Sequence, residues 1–289
     1  MVPADPEFGI QGGKPPSIRL VPCSTEEAII APNIQLAGNL ASRSSNATAT
    51  AAAASTASSI GEAIRLATVI GADRAGQGPD AAAAYYDFDV TDEAATTAAV
   101  TDVVSVYGRI DVLVHAAGVL GETPDPLKTS TAEFERIMTI NATGTFTIVR
   151  EVARAMLATH TKGTILLLSS VAAKEARRSY LPYNASKIAV LHIMWSMAQI
   201  LGPAGISVNA ITPGPVDTKM WAQFAEASGD DANAAARARA ERAAQLPMQR
   251  FARPDEVASA ALFLTDPQNR YITGVSLDVA GGAHLGMGS

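Results

Sequence analysis

The sequence predicts an α/β protein: a single doubly wound parallel sheet with helices on both faces. Three observations lead there. From Thr68 onward, short apolar runs alternate with segments of helical length, the pattern of strand–helix–strand units. Two of the runs, 110–114 (IDVLV) and 164–168 (TILLL), are almost continuously apolar. A strand covered on both faces reads that way, whereas a half-exposed one alternates. Polar and glycine-containing clusters follow several of the runs, and open α/β sheets bind their ligands beyond the carboxyl ends of the strands. At 289 residues, with 48% apolar and 17% charged residues, the chain has the material for one such domain.

The elements follow in order. Residues 1–33 are rich in proline and glycine, with little periodicity, and read as an irregular extension with at most one short element; the domain is expected over 34–289. The stretch 41–59 (ASRSSNATATAAAASTASS) reads either as a solvated segment or as a helix crossing between strands, because alanine favours helix while serine and threonine weaken it. Strands are expected at 68–72 and 84–88 and a helix over 92–106. The run 110–114 is a buried strand between Gly108 and Gly118. A helix starts near Thr131, capped by Ser130 or Thr131, and continues through Met156. Gly163 closes that connection before the strand 164–168. The next helix, 183–201, stops at Gly202-Pro203. A strand at 206–211, helices at 232–245 and 255–264 and a last strand at 275–279 complete the pattern.

Composition excludes several classes. The net charge is −6 and no basic block appears, so a nucleic-acid partner is not expected. No apolar run reaches the ~18–20 residues that a membrane span needs. The first residues, MVPADPEFGIQGGKPP, place acids and prolines where a secretory signal has a basic and then an apolar stretch. The single cysteine, Cys23, forbids an intramolecular disulfide and suits a reducing compartment. A cytoplasmic protein is the expectation.

Chemistry concentrates on Tyr183 and Lys187, four residues apart on one predicted helix, hence on one face. A cation beside a phenol favours the phenolate, so the pair can give or take a proton near neutral pH. Ser170, thirteen residues before the tyrosine, ends the preceding strand and can hold the oxygen that exchanges the proton. Asn141 lies inside a helix, a poor place for asparagine by propensity. Asp89, the segment 115–118 and the segment 213–218 each follow a strand. Singly, Asp89 reads as a cap, 115–118 as a tight turn and Asn141 as a satisfied core amide; together, their order and placement point to one crevice.

With these residues in place, over about 60–286, the chain resembles the short-chain dehydrogenase/reductase family. The resemblance implies a Rossmann-type domain that binds NAD or NADP and moves a hydride between nicotinamide and a carbonyl or secondary alcohol of a small-molecule substrate; no metal is implied. Asn141, Ser170, Tyr183 and Lys187 match the family's catalytic tetrad. Asn141 is expected to interrupt its helix and hold a water, and Ser169 is the alternative serine. Asp89 and Val90 match the adenine-contacting segment. His115, Ala116, Ala117 and Gly118 match an Asn-Asn-Ala-Gly turn whose two asparagines are replaced here. Pro213, Gly214, Val216 and Thr218 match the loop at the nicotinamide carboxamide, and Tyr183 and Lys187 also face the cofactor.

The N-terminal third departs from the family. Its glycine-rich phosphate loop has no clear counterpart. The nearest segments are 54–61 (ASTASSIG), which keeps Gly61, and the surroundings of Gly38. Asp73 and Arg74 stand where a ribose or a 2′-phosphate is bound. A cofactor-deficient relative that kept the fold as a binding or assembly subunit is the alternative function. Met220, Trp221 and Phe224 read either as the face of an apolar substrate site or as amphipathic helix packing, and the surplus of apolar residues on helix 183–201 suggests a homodimer or homotetramer.

Overall fold

The computed structural model describes residues 18–22, 68–73, 84–218 and 232–285. The strands are β1 (Ile18–Pro22), β2 (Thr68–Asp73), β3 (Ala84–Asp87), β4 (Val112–His115), β5 (Thr164–Leu168), β6 (Ser207–Pro213) and β7 (Ser276–Val279). They form one parallel sheet in the order β3-β2-β1-β4-β5-β6-β7. The order reverses between β1 and β4, which opens a crevice at the carboxyl ends of the strands. The helices used below are α1 (Glu93–Tyr107), α2 (Thr131–Met138), α3 (Gly144–Ala158), α4 (Leu181–Leu201), α5 (Ala232–Ala244) and α6 (Pro254–Thr265).

Alternation along the central strands shows why the sheet is covered twice. Ile165 and Leu167 of β5 join one apolar cluster, with Val103, Ile148, Val152, Met156 and Met194 from α1, α3 and α4. Leu166 and Leu168 point the other way, into a cluster with Val257, Ala261 and Leu264 of α6. A continuous apolar run is thus two alternating half-sets, one for each face. Removing Leu166, which is fully buried, to alanine falls in a class that costs ~2–5 kcal/mol.

Most elements lie where the sequence places them, within a few residues. β4 begins at Val112 rather than at Ile110. Gly108, at φ +85°, caps α1 through its N–H to the Val104 carbonyl at 2.8 Å. Ile18–Pro22 is the one short element described in the stretch 1–33, and it forms the strand between β2 and β4. Its ladder partners are 68–72 and 112–113, so pairing partners remote in sequence define this strand, and local pattern does not reveal them. Gly38, the stretch 41–59, Gly61, Arg74, Met220, Trp221 and Phe224 lie outside the described residues.

Candidate active site

β5 ends at Leu168, and Ser169 and Ser170 continue from it. The Ser169 hydroxyl donates to the Lys187 carbonyl at 2.7 Å, which locks the first turns of α4 against the strand end. Ser170 accepts from the Ala172 N–H at 3.2 Å, leaving its own proton for another acceptor. Of the two serines, Ser169 is thus spent on structure.

α4 starts after a constrained residue. Tyr180 is left-handed, at φ +56°, a conformation that costs a non-glycine residue ~1–2 kcal/mol. It is buried, and its N–H donates to the Pro124 carbonyl at 2.9 Å. Pro182, in the first turn of the helix, suits a position where an N–H has no helical acceptor. The first turns of α4 therefore present Tyr183, half-buried, and Lys187, only 2% exposed. The Lys187 ammonium lies 5.5 Å from the Tyr183 ring centroid and donates to the Leu168 carbonyl at 3.1 Å.

Asn141 approaches from the other side. α2 and α3 form one long helical path interrupted by a π-helical turn, Thr139–Thr143. Such turns insert a residue into the helix and re-aim its side chains. The fully buried Asn141 amide accepts from the Val119 N–H at 2.8 Å and donates to the Val119 carbonyl at 2.9 Å and to Ser186 Oγ at 2.9 Å. It clamps the chain just beyond Gly118. A Cβ at Gly118 would lie 3.1 Å from Lys187 Nζ and 3.2 Å from Asn141 Oδ1, so glycine lets this turn approach both groups.

His115, at the end of β4, is 2% exposed. Its Nε2 lies 3.1 Å from Thr145 Oγ1, which donates at 2.6 Å to the Asn141 carbonyl. With the threonine proton committed, His115 donates through Nε2, and Nδ1 holds a buried lone pair without a hydrogen-bond partner among the described residues. Burial, and then the charge of Lys187, lower the His115 pKa to about 3. Ala116 is buried beside it and Ala117 half-buried. Asp89 folds back on itself, accepting from the Thr91 N–H at 2.9 Å and hydroxyl at 2.8 Å; Asp92 is the residue that caps α1. Val90 packs against Gly144, where a Cβ would meet its Cγ2 at 2.7 Å. Asp73, buried, terminates β2.

The 213–218 segment leaves β6 tied on both sides. Gly214 N–H donates to the Val279 carbonyl at 3.0 Å, Ala252 N–H to Pro215 at 3.0 Å and Asp217 N–H to Ala252 at 3.0 Å. Gly214 passes so near Ala280 that a Cβ would lie 2.9 Å from its Cα. Arg239 pairs with Asp217 at 2.5 Å and holds that carboxyl below its ordinary pKa.

A cavity of about 390 Å³ joins these parts. Ser170, Tyr183, Pro213, Gly214, Val216 and Thr218 all line it. Lys187 and Asn141 stand behind that wall; Asp73, Asp89, Val90 and 115–118 do not line it. Four charged lining residues were not singled out in the sequence: Glu175, Arg177, Arg178 and Arg242. The Arg177-Arg178 doublet, shortly before Tyr183, was the available signal.

A family model described as enoyl-(acyl carrier protein) reductase matches residues 41–284. The chain is 35% identical over 211 residues to a short-chain dehydrogenase of Aspergillus ruber, covering 68% of this chain and 75% of that protein. It is 34% identical over 204 residues to 2-(S)-hydroxypropyl-CoM dehydrogenase 3 of Xanthobacter autotrophicus, covering 70% and 77%. The chain belongs to the short-chain dehydrogenase/reductase family. Among solved structures, the ligand-free aldohexose dehydrogenase of Thermoplasma acidophilum superposes with a TM-score of 0.72 at 26% identity, covering 93% of this chain and 95% of that one. An actinorhodin polyketide ketoreductase with NADPH gives a TM-score of 0.75 at 25% identity, covering 93% and 97%. This short-chain dehydrogenase/reductase is therefore an oxidoreductase acting on an alcohol or carbonyl of a small molecule, with NAD or NADP as cofactor. The sheet reversal between β1 and β4 and the close turn at Gly118 fit a dinucleotide lying over the strand ends. Among the described residues, no helix is long and apolar enough to cross a membrane.

Proposed function

We propose that Tyr183, Ser170, Lys187 and Asn141 are the catalytic residues of a carbonyl reductase or secondary-alcohol dehydrogenase. The observation that supports this most is the meeting of Ser170 and Tyr183 on one cavity wall, with the buried Lys187 ammonium directly behind the phenol. A bound nicotinamide would supply or accept the hydride. Tyr183 gives the reacting oxygen its proton in reduction and takes it in oxidation. Ser170 donates to the same oxygen, where negative charge develops. Lys187 stabilises the phenolate and would hold the hydroxyls of the nicotinamide ribose. Asn141 clamps the turn at Gly118, which lies against Lys187, and would hold a water that relays protons to Lys187.

The dinucleotide is assigned to Asp73 at the adenosine ribose, Asp89 and Val90 at the adenine, 115–118 along the adenosine side and Pro213, Gly214, Val216 and Thr218 at the nicotinamide. The domain is a single unit, and Cys23 as the only cysteine suits a cytoplasmic setting. Exposed apolar residues on α3 and α4 support a homodimer or homotetramer.

Titrating the purified protein with NADH and NADPH while following nicotinamide fluorescence tests the reading. A saturable signal with at least one cofactor is expected, and silence with both would overturn it. Tyr183→Phe is expected to lower kcat by about 10²–10⁴-fold, with cofactor affinity nearly unchanged. Retained turnover would remove Tyr183 from its role.

A further inference from the structure

The cavity that holds Ser170 and Tyr183 has a charge opposite to that of the molecule. The chain as a whole is at −6. Yet three arginines and one glutamate line the cavity beside the reacting side chains: Arg177, Arg178, Arg242 and Glu175. Glu175 and Arg177 pair internally: Glu175 Oε2 accepts from Arg177 Nε at 3.1 Å and Nη2 at 3.0 Å. That leaves Arg178 and Arg242 as two positive charges without a carboxylate of their own among the described residues. Arg178 is exposed. Arg242 donates through Nη1 to the neutral Gln245 side chain at 3.1 Å.

Holding this group together is unfavourable in itself. Arg242 loses hydration by partial burial and is repelled by Arg177; both effects draw its pKa down, against the pull of Glu175. Like charges packed beside an apolar wall gain nothing from each other. An anion entering the cavity reverses that balance, since guanidinium groups bind carboxylate and phosphate through paired N–H donors. The loop that carries Arg177 and Arg178 is also held in place. Lys174, just before them, pairs with Asp278 and donates to the Ser276 carbonyl at 3.4 Å, which fastens that loop to β7. Tyr180, on the far side, is fixed by its bond to Pro124.

We propose that the substrate of this enzyme carries an anionic group, a carboxylate or a phosphate, which Arg178 and Arg242 bind while its carbonyl or alcohol carbon meets Ser170 and Tyr183. The proposal rests on the oxidoreductase reading of the same cavity. It requires a molecule small enough that both ends occupy one space of about 390 Å³, and it leaves the middle of the molecule free to be apolar. Anion binding then orients the substrate in addition to holding it. A neutral analogue loses affinity, and it also loses the alignment that brings its carbonyl to the tyrosine.

Calorimetry on the cofactor-free protein separates this proposal from the oxidoreductase reading, which the NAD(P)H titration tests alone. The probes are unbranched oxo-carboxylates of four to eight carbons, each against its neutral methyl ester, and dihydroxyacetone phosphate against dihydroxyacetone. At least one anion is expected to bind about tenfold or more tightly than its neutral partner. Arg178→Gln and Arg242→Gln should each shrink that ratio, and the double variant should bring it near one. Arg178→Glu should favour the ester. The thermal unfolding midpoint, measured on the same samples, reports whether the variants fold. Whether the carboxylates or the phosphate show the larger ratio identifies the anion. Equal affinity for every acid–ester and phosphate–diol pair, or no binding of any anion, would overturn the proposal even if cofactor binds. A tenfold ratio that survives the double variant would overturn the assignment to these two arginines.

Discussion

His115 is a buried base that the fold keeps neutral. Its Nε2–H is committed to Thr145, and its remaining lone pair faces an interior already occupied by the Lys187 ammonium. Its pKa falls from 6.5 to about 3 on folding, by desolvation first and Lys187 second. In the unfolded chain the imidazole takes a proton as pH drops through 6.5; in the folded protein it does not until about 3. The unfolded state therefore binds more protons across that window, and stability falls as the solution is acidified through it. Above pH 6.5 the effect is absent. The lowered carboxyls of Glu133, Asp217 and Glu256 act at lower pH, so a comparison of pH 7.5 with pH 5.0 isolates the histidine. His115→Asn should show a smaller loss of urea midpoint between those two values than the parent does. An equal loss in both would mean that His115 is not buried neutral. The sequence reading noted the histidine only as a replacement; its burial and its threonine partner belong to a packing relation across 30 residues that no local motif encodes.

At the scale of elements, the two-part helix from Thr131 to Ala158 matters most to the site. Asparagine inside a helix read as an anomaly, and the π-helical turn Thr139–Thr143 is its structural counterpart. The turn directs Asn141 onto both backbone groups of Val119. Asn141→Ala leaves that half-buried N–H and carbonyl without their side-chain partner, at a cost of about 1 kcal/mol each. A lowered melting temperature is expected, together with a drop in kcat larger than any rise in cofactor Kd, because Gly118 and Lys187 lose their register before the binding surface is lost. Unchanged kcat in a folded variant would confine Asn141 to structure. The convergence of Asn141, Ser170, Tyr183 and Lys187 was legible because their spacing is set by one strand end and the helices on either side of it. The arginine lining was not, because Arg242 reaches the cavity from α5 while Arg177 and Arg178 come from the loop before α4.

The whole molecule shows the same division between what is local and what is assembled. Strands β2 to β7 were legible since each is a compact apolar run between breakers. β1 was not: five residues ending in Pro22 have no distinguishing pattern, and their place at the centre of the sheet comes from partners far along the chain. The surplus of apolar residues on α4 was legible and takes a specific form. Leu181, Ile188 and Trp195 recur at seven-residue intervals and are 48%, 51% and 45% exposed. Seven residues are nearly two helical turns, so the three form one stripe. On α3, which packs against α4, Phe146 and Leu157 are 40% and 45% exposed, eleven residues and about three turns apart. Water contact along two adjacent helices is unfavourable at ~25 cal/mol per Å² of apolar surface, and a second copy presenting the same stripes removes it on both sides at once. Light scattering on the purified protein should therefore give twice or four times the 29.9 kDa of the chain. Ile188→Glu with Trp195→Glu puts two carboxylates in the middle of the contact, where repulsion and desolvation each oppose association; the mass should fall to that of a smaller assembly or a single chain. A parent that scatters as a monomer would refute the interface, and a charged variant that keeps the parental mass would move it away from α4.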